Sequence, residues 1–136
     1  MSSIGDWPDF YPKNFQIPPK GSQDASGEFF RLVRELNPLS PSSFLATHEE
    51  QPKKHLSFSD KNEIINVYGV SFWATKESII RKRKSLPNAL GKMKIAQGTL
   101  SPTMGKIMKT GDEHHYTAWL KKACGVHLNF SRIENE

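Results

Sequence analysis

The sequence predicts an α+β domain, a twisted and mostly antiparallel sheet carrying two short helices. Three observations lead there. Apolar runs of strand length recur about every ten residues through the C-terminal half. Turn residues stand between them: Gly98, Ser101-Pro102 and Thr110-Gly111-Asp112. Two segments carry helix start signals, at Ser40-Pro41 and at Thr75.

In chain order, residues 1–26 come first and hold Pro8, Pro12, Pro18 and Pro19, followed by the string Gly21-Ser22-Gln23-Asp24-Ala25-Ser26-Gly27. No helix or strand period survives these breakers, so an irregular arm and a flexible linker are expected, ahead of one domain over residues 27–136. Trp7, Phe10, Tyr11, Phe15 and Ile17 are too apolar for a freely solvated tail. The arm is expected to pack across its own domain, with docking on a partner as the alternative.

Phe29-Phe30-Arg31-Leu32-Val33, aromatic and branched, is the first strand, ended by Asn37-Pro38. Ser40 and Pro41 start a short helix running through Phe44 to about Glu49, and Gln51-Pro52 breaks it. Residues 52–62 are polar and read as a loop. Residues 64–73 supply strand material, Thr75 caps a helix from Lys76 to about Lys84, and Pro87 and Gly91 close it. Met93 and Ile95 alternate with lysines, Met104, Ile107 and Met108 lie in the next strand, and residues 115–120 form another. Val126, Leu128 and Phe130 alternate with polar residues as a last, half-buried strand.

The 136 residues contain no apolar run near the ~20 that span a membrane. Asp6, Pro8 and Asp9 occupy the place where a signal peptide needs an apolar segment, and Cys124 is the single cysteine. A cytoplasmic location is therefore expected. Five scattered histidines and one thiol argue against a structural zinc site. The net charge of +5 points toward an anionic partner, either a nucleic acid or a phosphorylated small molecule, although plain surface lysines give the same balance. The run Arg81-Lys82-Arg83-Lys84 circles its helix instead of forming a stripe, which suits a solvated helix end and its dipole. No RNA-recognition, helix-turn-helix or zinc-finger pattern accompanies it.

The residues with chemistry to offer fall in three places. Arg31, between Phe29 and Val33 on one face of its strand, either pairs with a carboxylate or anionic ligand or lies at a solvated edge. Ser71 and Trp73 share one face of the central strand. The hydroxyl needs a partner there, and Trp73 or Tyr68 offers a surface for a planar ring or a share of the core. Glu113, His114, His115 and Tyr116 make the densest titratable cluster. His115, Thr117 and Trp119 fall on one face and His114, Tyr116, Ala118 and Leu120 on the other. The second face reads as the more buried, which makes His115 and Thr117 the better cleft residues and His115 a candidate for proton transfer.

Three segments in order, Phe29-Phe30-Arg31-Leu32-Val33, then Tyr68-Gly69-Val70-Ser71-Phe72-Trp73-Ala74-Thr75-Lys76-Glu77, then the strand opening at Lys94-Ile95-Ala96, resemble the ADP-ribosyltransferase-like fold. That family includes small bacterial toxin-type domains acting on NAD. The resemblance implies that Arg31 contacts NAD, Ser71 supports the nicotinamide ribose, and Tyr68 or Trp73 offers a stacking surface. A glutamate on a later strand would stabilise the oxocarbenium-like transition state. No glutamate stands inside a late strand of this chain, so Glu113 at a strand entrance is the nearest match, with His115 as its helper. The resemblance thus implies an NAD-directed transferase or glycohydrolase with a nucleotide-type substrate. The alternative is a non-enzymatic module that binds a protein or nucleic acid through the aromatic arm and the basic helix.

Overall fold

A computed structural model describes residues 7–34, 39, 41–111 and 114–133. Its strands are β1 (Gln23–Asp24), β2 (Gly27–Val33), β3 (Val70–Trp73), β4 (Lys94–Leu100), β5 (Gly105–Lys109), β6 (His115–Leu120) and β7 (Phe130–Arg132). They form one seven-stranded sheet in the order β1-β5-β6-β3-β2-β4-β7, with every neighbouring pair antiparallel. The helices are α1 (Thr47–Glu50), α2 (Lys61–Val67), α3 (Lys76–Ser85) and α4 (Pro87–Leu90). The mixed α+β class and the antiparallel sheet are as the sequence predicts. Among the described residues there are four α-helices where two were expected.

β2 is buried on both faces, which follows from its central place between β3 and β4. Phe29 and Val33 enter the larger core with Val70, Phe72, Ala118 and Leu120, while Phe30 and Leu32 enter a smaller one with Trp73, Ile79 and Ile95. The period-two alternation of the sequence thus sorts side chains between two cores.

α2 replaces the first half of what reads as a long strand over residues 64–73. Asp60 decides this. Its carboxylate accepts from the backbone N–H of Asn62 at 2.8 Å and of Glu63 at 3.2 Å, which nucleates a helix ahead of the branched residues. Ile65 and Val67 are then buried, and the indole of Trp119 donates to the Ile65 carbonyl at 3.2 Å. Gly69 turns the chain from α2 into β3. A Cβ there would lie 2.3 Å from the Thr117 methyl, so only glycine lets the turn sit against β6.

The expected helix from Ser40 to about Glu49 is split; Ser40 and Asn37-Pro38 lie outside the described residues. Pro41–Phe44 is a 3-10 turn, and α1 begins afresh at Thr47, with the Glu49 carboxylate accepting from the Ala46 N–H at 3.0 Å. Residues 52–62 hold a further 3-10 turn, Lys54–Ser57. α3 follows its expected cap, Thr75 Oγ1 accepting from the Ser78 N–H at 3.2 Å, and runs one residue further than read. Pro87 opens α4 instead of closing α3.

The last expected strand is shorter than its alternation promised. Gly125 adopts a left-handed φ of 74°, and a 3-10 turn over Val126–Asn129 follows, leaving Leu128 77 % exposed. Only Phe130–Arg132 joins the sheet. Gly98, read as a turn residue, instead lies inside β4 opposite Phe130, where a Cβ would fall 2.2 Å from the Asn129 carbonyl oxygen and 2.5 Å from the Phe130 ring.

The N-terminal arm lies on the domain. Gln23–Asp24, inside the string expected as linker, pairs with β5, and Asp24 bridges to Lys106. Phe10 stacks on His48 (5.6 Å between centroids) and Tyr68 (6.4 Å), and Asp9 pairs with Lys122 at 3.0 Å.

The Gly98→Ala variant should lose about 1–3 kcal/mol, because β7 must move to admit one methyl. Urea melts that give the parental midpoint would show that β7 has room to shift without cost.

Candidate functional site

A hollow of about 600 Å³ opens on the face of the sheet that carries Ser71 and Trp73. The register of β3 and β6 builds it: Ser71 lies opposite Thr117 and Trp73 opposite His115, so all four point to the same side. α1 and the Lys54–Ser57 turn supply one wall, with Thr47, Glu50, Lys54 and Phe58. The end of α3 and α4 supply the other, with Lys82, Leu86 and Leu90.

His115 is held firmly. Its Nδ1 lies 3.0 Å from the Thr110 carbonyl oxygen and 3.0 Å from Thr110 Oγ1, which in turn lies 2.7 Å from Thr117 Oγ1. A carbonyl only accepts, so the geometry places the proton of the neutral ring on Nδ1 and the lone pair on Nε2. Thr110 Oγ1 and Thr117 Oγ1 share one hydrogen bond, in which either hydroxyl can donate. The imidazole meets Trp73 edge to face, with centroids 4.9 Å apart. A smaller recess of about 230 Å³ adjoins, lined by Phe58, Asn66, Val67, Ser71, Thr110 and Thr117 among others.

Arg31 also lines the hollow, in a different role from the expected one. Of its expected surroundings, the solvated edge is not found and a carboxylate, Glu50, stands near, but backbone carbonyls hold its donors. Nε donates to the Ser43 carbonyl at 2.9 Å, Nη1 to the Ser71 carbonyl at 2.9 Å and Nη2 to the Leu45 carbonyl at 3.3 Å. Glu50 stands 3.8 Å away, and the Phe44 and Phe72 rings flank the guanidinium at 6.0 Å each. Burial pulls its pKa down to about 10, opposed by Glu50, so it stays charged at neutral pH. β2 and β3 pair only at Phe30 and Trp73, and Arg31 supplies donors where that short ladder ends.

The structure thus brings Arg31, Ser71, Trp73 and His115 to one hollow. Tyr68 does not join them. β3 starts at Val70, so Tyr68 caps α2 and its ring packs among Phe10, Tyr11 and His48 beside a different cavity. Glu113 lies outside the described residues. The face expected to be the less buried is also corrected: α2 covers it, Trp119 is fully buried and Thr117 nearly so.

Lys54, Phe58, Glu50 and Lys82 were missed by sequence reasoning. The first two sit in a segment read only as polar loop, and Lys82 was counted with a solvated helix end. Of that basic run, Arg83 is tied down, donating to the Met93 carbonyl at 3.0 Å. Arg81, Lys82 and Lys84 are exposed, and of these Lys82 lines the hollow. Among the described residues no group of three or more His, Cys, Asp or Glu side chains is placed to hold a metal ion. None of the described helices is long and apolar enough to cross a membrane. The chain matches no protein-family model and reaches significant similarity with no curated protein and no solved structure.

Replacing Arg31 with Ala should cost about 3 kcal/mol or more, since it strands three enclosed carbonyls. Arg31→Lys should recover only part, because one ammonium cannot span the same three acceptors. Equal denaturation midpoints for parent and Arg31→Ala would remove the guanidinium from its structural role.

Proposed function

We propose that the hollow over Ser71, Trp73 and His115 binds an NAD-type dinucleotide, and that the protein is an NAD-directed glycohydrolase or ADP-ribosyltransferase of the resembled fold. The observation that carries this reading is the convergence of four residues, from three segments far apart in sequence, on a single hollow of ligand size. Its lining matches the parts of the substrate. Trp73, Phe58 and His115 offer ring surfaces to a base or a nicotinamide, and the Ser71 hydroxyl suits a ribose. Lys54 and Lys82 supply the positive charge that pyrophosphate needs.

Three of the five N–H groups of Arg31 are held by backbone carbonyls with Glu50 beside them, so the two exposed lysines are the better phosphate contacts. Glu50, 40 % exposed at the edge of the same hollow, takes the place sought for Glu113 as the carboxylate facing a developing sugar cation. In the hydrolytic form of the reaction, nicotinamide leaves with the electron pair of the glycosidic bond. Water then adds to the anomeric carbon and releases its proton, and a transferase substitutes an acceptor nucleophile for water. The aromatic arm, committed to Tyr68 and His48, is less available to a partner than the competing interaction-module reading requires.

The test is thermal melting with NAD, ADP-ribose and short RNA, paired with chromatography for released nicotinamide. A hundredfold excess over Kd should stabilise the fold by about 2.7 kcal/mol. Lys54→Glu with Lys82→Glu should abolish the shift, and Glu50→Gln should lower nicotinamide release at least tenfold while the shift survives. No shift with any nucleotide at millimolar concentration would reject the site. Salt-sensitive retention of RNA alone would favour the binding module instead.

A further inference from the structure

A second cavity, also of about 600 Å³, lies on the opposite face of the sheet and belongs to none of the chemistry above. Its floor is apolar and buried: Phe44, Ala46, Val70, Leu120 and Val126 all belong to the larger core. Its exposed lining residues include Lys122, Ala123 and Leu128, which therefore form its rim. A cavity this large and this apolar falls in the size range of small-molecule sites.

Three features of the rim narrow the occupant. First, Ala123 is held at a φ of 52°, a left-handed conformation unfavourable to a residue with a Cβ, and Gly125 follows at 74°. Backbone strain of this kind persists where the surroundings impose it, and here it curls residues 121–125 around the opening. Second, Leu128 stands 77 % exposed at the lip, a large apolar side chain with nothing over it. Third, Lys121 and Lys122 line the cavity side by side. Lys122 is paired with Asp9, but Lys121 makes no ion pair among the described residues: its ammonium lies 5.4 Å from the Trp7 ring, and the carboxylate that feels its charge, Asp24, is bonded to Lys106. The one carboxylate in the lining, Glu49, already accepts the Ala46 N–H.

From an apolar floor, an apolar lip and a cation in no direct ion pair, we infer that this cavity binds an anionic single-chain amphiphile, a medium-length aliphatic carboxylate. The chain lies over Val70, Leu120 and Val126, and its headgroup reaches Lys121. Cys124, half-buried in the same wall, has its thiol pKa pushed up by burial and stays neutral, so it serves as a reporter of occupancy and takes no part in chemistry.

Calorimetric titration of the full chain with octanoate, decanoate and dodecanoate, kept below micellar concentrations, tests this inference, with the matching alcohols as controls. One carboxylate should bind per chain, and Kd should fall about fourfold per added methylene until the cavity is full. Decanol should bind at least tenfold more weakly than decanoate, and Lys121→Glu should remove that preference. Leu128→Asp, at a position too exposed to disturb folding, should weaken decanoate at least tenfold, whereas Lys54→Glu in the other hollow should leave it unchanged. Saturating decanoate should slow alkylation of Cys124 by N-ethylmaleimide. The inference is overturned if Kd is independent of chain length, if alcohol and carboxylate bind alike, if Leu128→Asp binds like the parent, or if Cys124 is not protected.

Discussion

One guanidinium inside the sheet sets the positions of most other parts. Beyond the Phe30–Trp73 pair, β2 and β3 no longer satisfy each other's backbone, and an open split in a buried sheet is costly unless something fills it. Arg31 fills it. Its rigid fork reaches three carbonyls on two separate stretches of chain, Ser43 and Leu45 on one and Ser71 on the other, which a point-like ammonium could not do. The charge itself is expensive to bury, and the depressed pKa records that cost. Charge-assisted bonds to carbonyls, the flanking phenyl rings and a nearby Glu50 together offset it.

The same fork explains why the helix expected from Ser40 to Glu49 breaks. A helix needs the carbonyls of its early residues for its own N–H groups four positions on. Ser43 and Leu45 give theirs to Arg31, so the first turn stays 3-10 and α1 restarts after Ala46. Composition around residues 40–49 is helical enough, and the competing donor lies on another strand. No local reading of the sequence could have found it.

Where local signals and tertiary needs agree, the sequence was legible. β6 runs from His115 to Leu120 as read, and α3 begins behind the Thr75 cap, because alternation and capping are properties of neighbouring residues. Ser71 with Trp73, and His115 with Thr117, could each be placed on one face of their own strand for the same reason, whereas the register that makes the two faces coincide is tertiary. Tyr68 was misplaced because a short helix capped by Asp60 precedes β3. Branched Ile64, Ile65 and Val67 look the same in either state, so the one distinguishing signal was an Asp two residues before Asn62. Lys54, Phe58 and Lys82 reach the hollow from a loop and a helix end, and their convergence is purely tertiary. Leu128 misled in the opposite direction: the alternation was real, but Gly125 turned the chain before the strand could form.

α1 shows how far the dependence on Arg31 extends. Four residues of helix have no stability of their own, since a single turn fixes several dihedrals for very few hydrogen bonds. The segment keeps its place through Leu45 and Glu50, both held at the guanidinium, and through the Glu49 carboxylate on the Ala46 N–H. Residues three apart share a helix face, so Thr47 and Glu50 turn toward the polar hollow while Ala46 and Glu49 turn toward the apolar cavity. A wall common to two cavities is therefore positioned from a third place, the split between β2 and β3. Substitutions at Arg31 must for that reason deform both cavities at once, whereas substitutions at Lys54 or Leu128 act on one side of the sheet alone.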